Sequence, residues 1–453
     1  MYQLKMWKTN SDDTKCSSCQ QDTQSSSCQE DIQGSRNEIG SYAQAVQINL
    51  DPCKEYQEIA GFGGAYNEIG WEAVSCLSQE EQDKVFEALF GETGCRFNLC
   101  RTPMGASDFA LDGYSLNDVE GDFYMEYFDI SRDKKRLIPY ILKSMKVNPS
   151  IKIWGCPWSP PFWMKTNGDM CNGGELLDTS ENLKAYAIYF RKYIEEYEKA
   201  GVPLLAVCIQ NETDVINIYP TSTMPSELMK KFIRAHLVPE LVRAQGKPLK
   251  TEIWAGSIRD VMGYADEVVG DAVNKQFVKG IGYQYSSPEV VRDSYVKYPR
   301  MKLYHTESPC HNGANSWEEA EEIYKDIVSY LENGCINYSY WNMILDESTL
   351  SSWGWKQNSM ITINRTTNEV LYNYEYYVMM HFSRFIEPGA KRIGSASSSS
   401  DSIIAFKNTD QSIILLISNF TGENKSVDIT LEGESYKVYL EPSSIYTLKF
   451  SQC

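Results

Sequence analysis

Two glutamates stand where an apolar, strand-like run gives way to polar or aromatic residues: Leu204-Leu205-Ala206-Val207-Cys208-Ile209-Gln210-Asn211-Glu212 and Met301-Lys302-Leu303-Tyr304-His305-Thr306-Glu307. Hydrolysis of a glycosidic bond needs a pair of carboxylates, one to protonate the leaving oxygen and one to meet the anomeric carbon. Either glutamate alone is better read as a salt-bridge partner, since perturbed carboxylates are often structural. Two of them in order, after the fourth and seventh strand-like runs and with Asn211 beside the first, make catalysis the stronger reading.

Such residues work only if a scaffold brings them together. Short apolar runs fall at Phe62–Tyr66, Arg96–Arg101, Ile151–Cys156, Leu204–Gln210, Thr251–Ala255, Gly280–Tyr285, Met301–Thr306 and Gly334–Trp341. Between them lie stretches such as Leu183–Lys199 and Trp317–Glu332, whose apolar residues recur every three or four positions, the period of an amphipathic helix. Eight strands alternating with helices predict an α/β fold, a (β/α)₈ TIM barrel, whose functional side chains gather at the C-terminal ends of the strands. After Arg392 the pattern changes to Ile403–Phe406, Ile413–Ser418, Ser426–Leu431, Tyr436–Leu440 and Ile445–Phe450, short alternating strands preceded by a turn-like run at Ser395–Ser400. These predict an attached β-sandwich formed by both chain ends, because the strand-like start of the chain and Ala45–Leu50 need a sheet to join. The expected division is 1–58 for N-terminal sandwich strands with a flexible loop at about 10–42, 59–385 for the catalytic barrel, and 386–453 for the C-terminal sandwich.

Composition narrows the chemistry. The chain has 453 residues, 42% hydrophobic and 23% charged, with a net charge of −18; this is a globular protein with a sizeable core whose surface repels phosphate backbones and anionic membranes. A neutral substrate fits that balance, and nucleic acid does not. No stretch reaches the roughly 18 apolar residues of a membrane span, and the N-terminus has no apolar leader. Thirteen cysteines are an odd number, several of them inside strand-like runs (Cys100, Cys156, Cys208, Cys335), so a reducing, cytoplasmic location is expected. Only four histidines occur, with no His-x-His pair at a strand end, and Cys16-x-x-Cys19 with Cys28 lacks a fourth ligand; no metal is expected. No Gly-rich phosphate loop is present, and no organic cofactor is expected. Asn211-Glu212-Thr213 is formally a glycosylation sequon, as are Asn364-Arg365-Thr366 and Asn419-Phe420-Thr421; a glycan on Asn211 would block the proposed site, so that sequon reads as accidental.

Polar and aromatic clusters fall at the expected strand ends: Arg101 through Asp108, Trp154 through Trp163, Asn211-Glu212, Tyr283-Gln284-Tyr285, Glu307 and Trp341-Asn342. Indole and phenol faces suit sugar rings, and Arg, Asp and Asn suit hydroxyls. Trp154, Trp163 and Trp353 read as core or wall residues, and Arg101 reads equally as a buried charge with Asp108 as its partner.

With those residues in view, the chain resembles glycoside hydrolase family 30, the family of glucosylceramidases and β-1,6-glucanases. The likeness rests on Gly61-Phe62-Gly63-Gly64-Ala65, Arg101-x-Pro-Met with Asp108, Pro157-Trp158-Ser159-Pro160-Pro161-x-Trp163-Met164-Lys165-Thr166-Asn167-Gly168, Gln210-Asn211-Glu212, Thr306-Glu307, Trp355-Lys356-Gln357-Asn358 and Met380 through Ile386. It implies a retaining mechanism with Glu212 as acid/base and Glu307 as nucleophile. It further implies Asn211 at the sugar 2-hydroxyl, Tyr285 holding the nucleophile, and Arg101, Asp108, Trp158, Trp341 and Asn358 lining the sugar subsite. Thr213 stands where a proline often follows the acid/base, and Tyr283-Gln284-Tyr285 where animal glucosylceramidases have His-Trp-Tyr. The expected activity is that of an exo-acting β-glucosidase of the glucosylceramidase type, which would place it in sphingolipid metabolism. Alternatives are an endo-β-1,6-glucanase, an exo-β-xylosidase or β-fucosidase, a catalytically silent carbohydrate-binding protein, and an interaction module that works through its acidic surface.

Overall fold

The computed structural model describes residues 2–11, 45–399 and 402–452. Most of the polar stretch expected to be a flexible loop, with Cys16, Cys19 and Cys28, lies outside these residues. The described chain forms two compact units.

The first unit comprises residues 1–61, 316–332 and 374–453. It opens with β1 (Tyr2–Asn10) and β2 (Val46–Glu58). The second unit, residues 62–315 and 333–373, begins within the parallel strands β3 (Gly61–Ala65), β4 (Leu99–Pro103), β5 (Lys152–Cys156), β6 (Leu204–Cys208), β7 (Glu252–Ile258), β8 (Val278–Tyr283), β9 (Lys302–His305) and β10 (Asn337–Asn342). Their order is β10-β3-β4-β5-β6-β7-β8-β9. The ring is nearly closed by a parallel bridge from Leu303 to Cys335 and by the Ile336 amide donating to the Leu303 carbonyl. This is the expected TIM barrel, each strand lying within a few residues of its predicted run. A small sheet of β11 (Ile344–Asp346), β12 (Ile361–Ile363) and β13 (Val370–Tyr372) follows it.

The helices form for local reasons. Ser180–Lys199 starts where the Thr179 side chain accepts from the Asn182 amide, which satisfies one of the open N-terminal donors. Leu183, Tyr186, Phe190, Tyr193 and Tyr197 are buried along one face at spacings of three and four. That face can sit close to the sheet because position 155 on β5 is glycine; a Cβ there would lie 2.6 Å from Tyr193 Cε1. Gly282 on β8 plays the same part between strands, since its Cβ would meet the Gly256 carbonyl oxygen at 2.4 Å. Trp317–Glu332, expected within the barrel, forms as a helix but groups with the first unit.

That unit is completed by β14 (Lys391–Ser397), β15 (Ile403–Lys407), β16 (Ile413–Asn419), β17 (Lys425–Leu431), β18 (Glu434–Leu440) and β19 (Ser444–Gln452). The strand order is β1-β19-β16-β15-β14-β2-β17-β18, so both chain ends build the sheet as expected. Alternate residues from all of these strands, among them Tyr2, Ile48, Leu415, Ile429, Leu448 and Phe450, share one core. His381 on the helix Tyr374–Ser383 bonds Thr447 Oγ1 through Nδ1 (2.8 Å) and Thr9 Oγ1 through Nε2 (3.0 Å), tying β19 and β1 together. One sequence reading is corrected: Ser395, Ala396 and Ser397 are not a turn but the end of β14, opposite Leu50, Asn49 and Ile48. Cross-strand pairing overrides the turn preference of serine.

The sheet order sets a first expectation. A chain ending at Gly394 removes β15 to β19, leaving β1 without β19 and β2 without β17. It strips most of the shared core from Tyr2, Ile48, Leu50 and Ile393, so expression should yield insoluble protein. A soluble, folded and active product would refute the two-ended sheet as a unit of stability.

Candidate active site

The C-terminal ends of the barrel strands converge on Arg101, a fully buried side chain on β4. Its Nη1 donates to Glu307 Oε2 at 2.6 Å and to the Thr306 carbonyl at 3.1 Å, and its Nη2 donates to Asn211 Oδ1 at 2.6 Å. Three indoles surround the guanidinium, with Trp158, Trp154 and Trp341 centroids at 4.3, 5.1 and 5.6 Å from Cζ. One cation thus orients two expected site residues that lie on opposite sides of Arg101 in the barrel, Glu307 after β9 and Asn211 after β6. The pairing of Arg101 with Asp108 is not found; its carboxylate partner is Glu307.

Asn211 and Glu212 are pinned from both neighbouring strands. The Asn211 amide donates to the Pro157 carbonyl, and the Ser257 amide donates to the Gln210 carbonyl. Asn211 Oδ1 also accepts from Gln284 Nε2 at 3.2 Å, while Gln284 Oε1 accepts from Thr306 Oγ1. With its carbonyl oxygen occupied twice, Asn211 has its amide nitrogen left to donate to a ligand.

The two carboxyls sit in different surroundings. Glu307 is 6% exposed and also accepts from the Tyr285 hydroxyl at 3.2 Å. Burial pushes it up to about 7, against the pull of Arg101 and with a further push from Glu212. Glu212 is 5% exposed, and each of its oxygens has its own donor: Arg259 Nη1 reaches Oε1 at 2.6 Å and the Tyr219 hydroxyl reaches Oε2 at 3.1 Å. Glu212 and Tyr285 both hold left-handed backbone conformations, φ +45° and +51°, which cost non-glycine residues about 1–3 kcal/mol each and concentrate at functional sites.

Asp108, Trp158 and Trp341 stand beside these groups. Trp158 and Trp341 lie 5.1 Å apart at 30°, and Phe109 meets Trp341 edge-on at 6.3 Å. Asp108 Oδ1 and Trp341 Nε1 are buried with no hydrogen-bond partner, and a buried polar atom left so costs about 1–3 kcal/mol. A ligand with hydroxyls would satisfy both. Burial, and then the charges of Glu307 and Glu212, push Asp108 well above the carboxylate range; the protonated form can donate as well as accept.

Three further expectations meet the structure differently. Asn358 Oδ1 accepts from the Gly313 and Asn315 amides at 2.8 and 3.1 Å, which makes that oxygen a brace for the loop after Glu307. Trp154 is a core residue, as read, but also one of the walls of the Arg101 cage. Trp163 Nε1 donates to the Asn117 carbonyl and holds the loops after β5 and β4 together.

Sequence reasoning missed Arg259 and Tyr219. Arg259 follows β7, but Gly256-Ser257 reads as the end of that strand, so the charge reads as part of a loop. Continuing the strand to Ile258 would have placed Arg259 at a barrel-strand end, the signal used for the other residues.

The chain's likeness to known proteins agrees with this geometry. The profile of the glycosyl hydrolase family 30 TIM-barrel domain matches residues 59–386, and that of the family 30 beta sandwich domain matches residues 389–448. A Caenorhabditis elegans protein provisionally named glucosylceramidase 3 is 28% identical over 89% of this chain and 82% of its own length. An endo-1,6-β-D-glucanase of Aspergillus fumigatus is 29% identical over 83% of this chain and 81% of its own. The crystal structure of an endo-β1,6-glucanase superposes with a TM-score of 0.84 at 23% identity, covering 99% of both chains, and establishes the fold alone.

Proposed function

This chain belongs to glycoside hydrolase family 30 and is a glycosidase, and from that premise we propose that it is a retaining, exo-acting β-glucosidase of the glucosylceramidase type. The observation that carries the reading is the Arg101 cage, which orients Glu307 and Asn211 together while a separate cation and a tyrosine hold Glu212. Glu307 attacks the anomeric carbon as the C–O bond to the aglycone breaks, and Glu212 gives its proton to the departing oxygen. Water then attacks the same carbon, losing a proton to Glu212 and freeing Glu307. Asn211 donates to the 2-hydroxyl, and Asp108 with Trp341 Nε1 serves the hydroxyls far from the scissile bond. No step needs a metal or an organic cofactor.

Exo action is supported by loops that meet around the sugar wall. Ser352 Oγ donates to the Ala110 carbonyl at 2.6 Å, joining the loops after β11 and β4, and Tyr219 meets Trp355 at 5.0 Å. An apolar aglycone is supported by Ile216 and Ile218 on the loop that carries Tyr219 and by Met262 just beyond Arg259, which are 69, 55 and 58% exposed. Among the described residues no helix is long and apolar enough to cross a membrane. A reducing, cytoplasmic location suits the nine described cysteines, none of which forms a disulfide.

The test is a panel of aryl β-glycosides run beside glucosylceramide and a β-1,6-glucan, with NMR of the first-formed anomer. The β-anomer of glucose should appear first, and β-glucosides should exceed β-xylosides and β-galactosides in kcat/KM by at least about tenfold, because a missing or misplaced hydroxyl leaves Asp108 or Trp341 unpaired. Asp108→Ala should shrink that preference along with the rate. Faster cleavage of xylosides or fucosides would remove the glucosidase assignment, and oligosaccharides released first from the glucan would replace exo with endo action.

A further inference from the structure

The mechanism asks opposite things of Glu212 in its two steps, the acid form in the first and the carboxylate in the second. Arg259 Nη1 at 2.6 Å favours only the second. Every group facing Glu212 bears on this balance. Tyr219 on the loop after β6 donates a neutral hydrogen bond, and Glu307 after β9 and Asp108 after β4 lie near enough for the charge of Glu212 to raise them both. Asp214 draws on Arg259 from the same loop as Tyr219. Tyr285, after β8, offers its ring to the guanidinium at 4.9 Å while its hydroxyl donates to Glu307. Among the described residues Arg259 is therefore the cation paired with Glu212, and its side chain is 34% exposed, against 0% for Arg101. It has an open side into which it can swing, which Arg101 lacks.

We propose that Arg259 is a positioning residue that holds Glu212 as the carboxylate for the water step and gives way on its exposed side when a leaving group occupies the site. The proposal rests on the glycosidase reading and adds to it that selection among leaving groups is exerted through this ion pair. Substrates whose aglycone reaches the rim formed by Ile216, Ile218 and Met262 displace the guanidinium. Small aglycones leave it in place and are poorly protonated.

The test compares wild type, Arg259→Gln and Arg259→Lys on 2,4-dinitrophenyl β-glucoside, whose leaving group needs no proton, and on octyl β-glucoside, whose leaving group does. With Arg259→Gln, kcat on the dinitrophenyl substrate, limited by the water step, should fall roughly tenfold. KM should fall with it as the glycosyl-enzyme accumulates, so kcat/KM stays within about twofold. On octyl β-glucoside, whose departure requires the proton, kcat should fall far less than on the dinitrophenyl substrate, because the protonation step and not the water step limits it. Arg259→Lys should recover most of the water step on the dinitrophenyl substrate. Equal losses in kcat and kcat/KM on both substrates would overturn the proposal and leave Arg259 as packing. If wild type cleaves neither glucoside, the sugar assignment fails, and the same pair of leaving groups on the sugar that is cleaved decides the role of Arg259.

Discussion

Glu307→Gly is expected to abolish hydrolysis, by a factor on the order of 10⁵ or more, the scale lost when a covalent nucleophile is removed. The vacated space lies beside Arg101 and Tyr285, which held the carboxylate. Azide, an anion of suitable size, should enter it and attack the anomeric carbon directly, restoring turnover on an aryl β-glucoside and yielding the α-glucosyl azide. Glu212→Ala should behave in the opposite sense. With a good leaving group its first step needs little protonation and survives, and azide should give the β-glucosyl azide by attacking the glycosyl-enzyme. Product stereochemistry by NMR reads both variants, and an exchange of the two patterns would mean that the roles of the glutamates are reversed.

Arg101→Met should be the next most damaging change. It leaves Glu307 buried without its cation and Asn211 Oδ1 without its shorter bond. Breaking a buried pair costs about 3–5 kcal/mol, so kcat/KM should fall roughly a thousandfold at 1.36 kcal/mol per decade. The loss should depend on pH in a definite direction. In the intact site burial already holds Glu307 at about 7, with Arg101 pulling downward. Its reactive form is the carboxylate, so activity falls as pH drops through that value. Without Arg101 the carboxyl stays protonated to higher pH, and the acid limb of kcat/KM should move upward, making the deficit larger at pH 6 than at pH 8. Arg101→Lys should restore the acid limb in part, because it returns the charge, but not the rate, because an ammonium cannot fork between Glu307 and Asn211. A uniform loss at all pH values would show that Arg101 serves packing alone.

The strand ends carried most of what could be read in advance. Glu212 and Glu307 were legible because a buried strand is an uninterrupted apolar run, and a carboxylate that ends it stands out. Arg101 was legible as a site residue but not in its partner, since the contact between β4 and the end of β9 spans the barrel and leaves no trace in local spacing. Arg259 was hidden by Gly256, which reads as a strand break but here takes φ +51° within β7, where Thr213 and Met229 crowd its Cα. Asn358 was named only through its matching motif, and local spacing gave no sign that its oxygen would be taken by two loop amides. The serines after Gly394 were misread because their strand exists only through β2, more than three hundred residues earlier in the chain.

That distance has a bearing on biosynthesis. Strand β1 leaves the ribosome before the whole barrel, yet its hydrogen-bonding neighbour is β19, with Tyr2 opposite Gln452 and Asn10 opposite Ser444. Strand β2 likewise waits for β14 and β17. At about 5–20 residues per second, the newborn chain must carry two unpaired strands for tens of seconds. Unsatisfied strand edges invite pairing with other chains. Of the charges on β2, Asp51, Lys54, Glu55 and Glu58, Glu55 and Glu58 pair with Lys407 and Lys391 in the finished sheet; before those partners exist, all four discourage pairing between chains. Neutralising them should lower the yield of soluble protein at fast translation more than it lowers the melting temperature of the molecules that do fold.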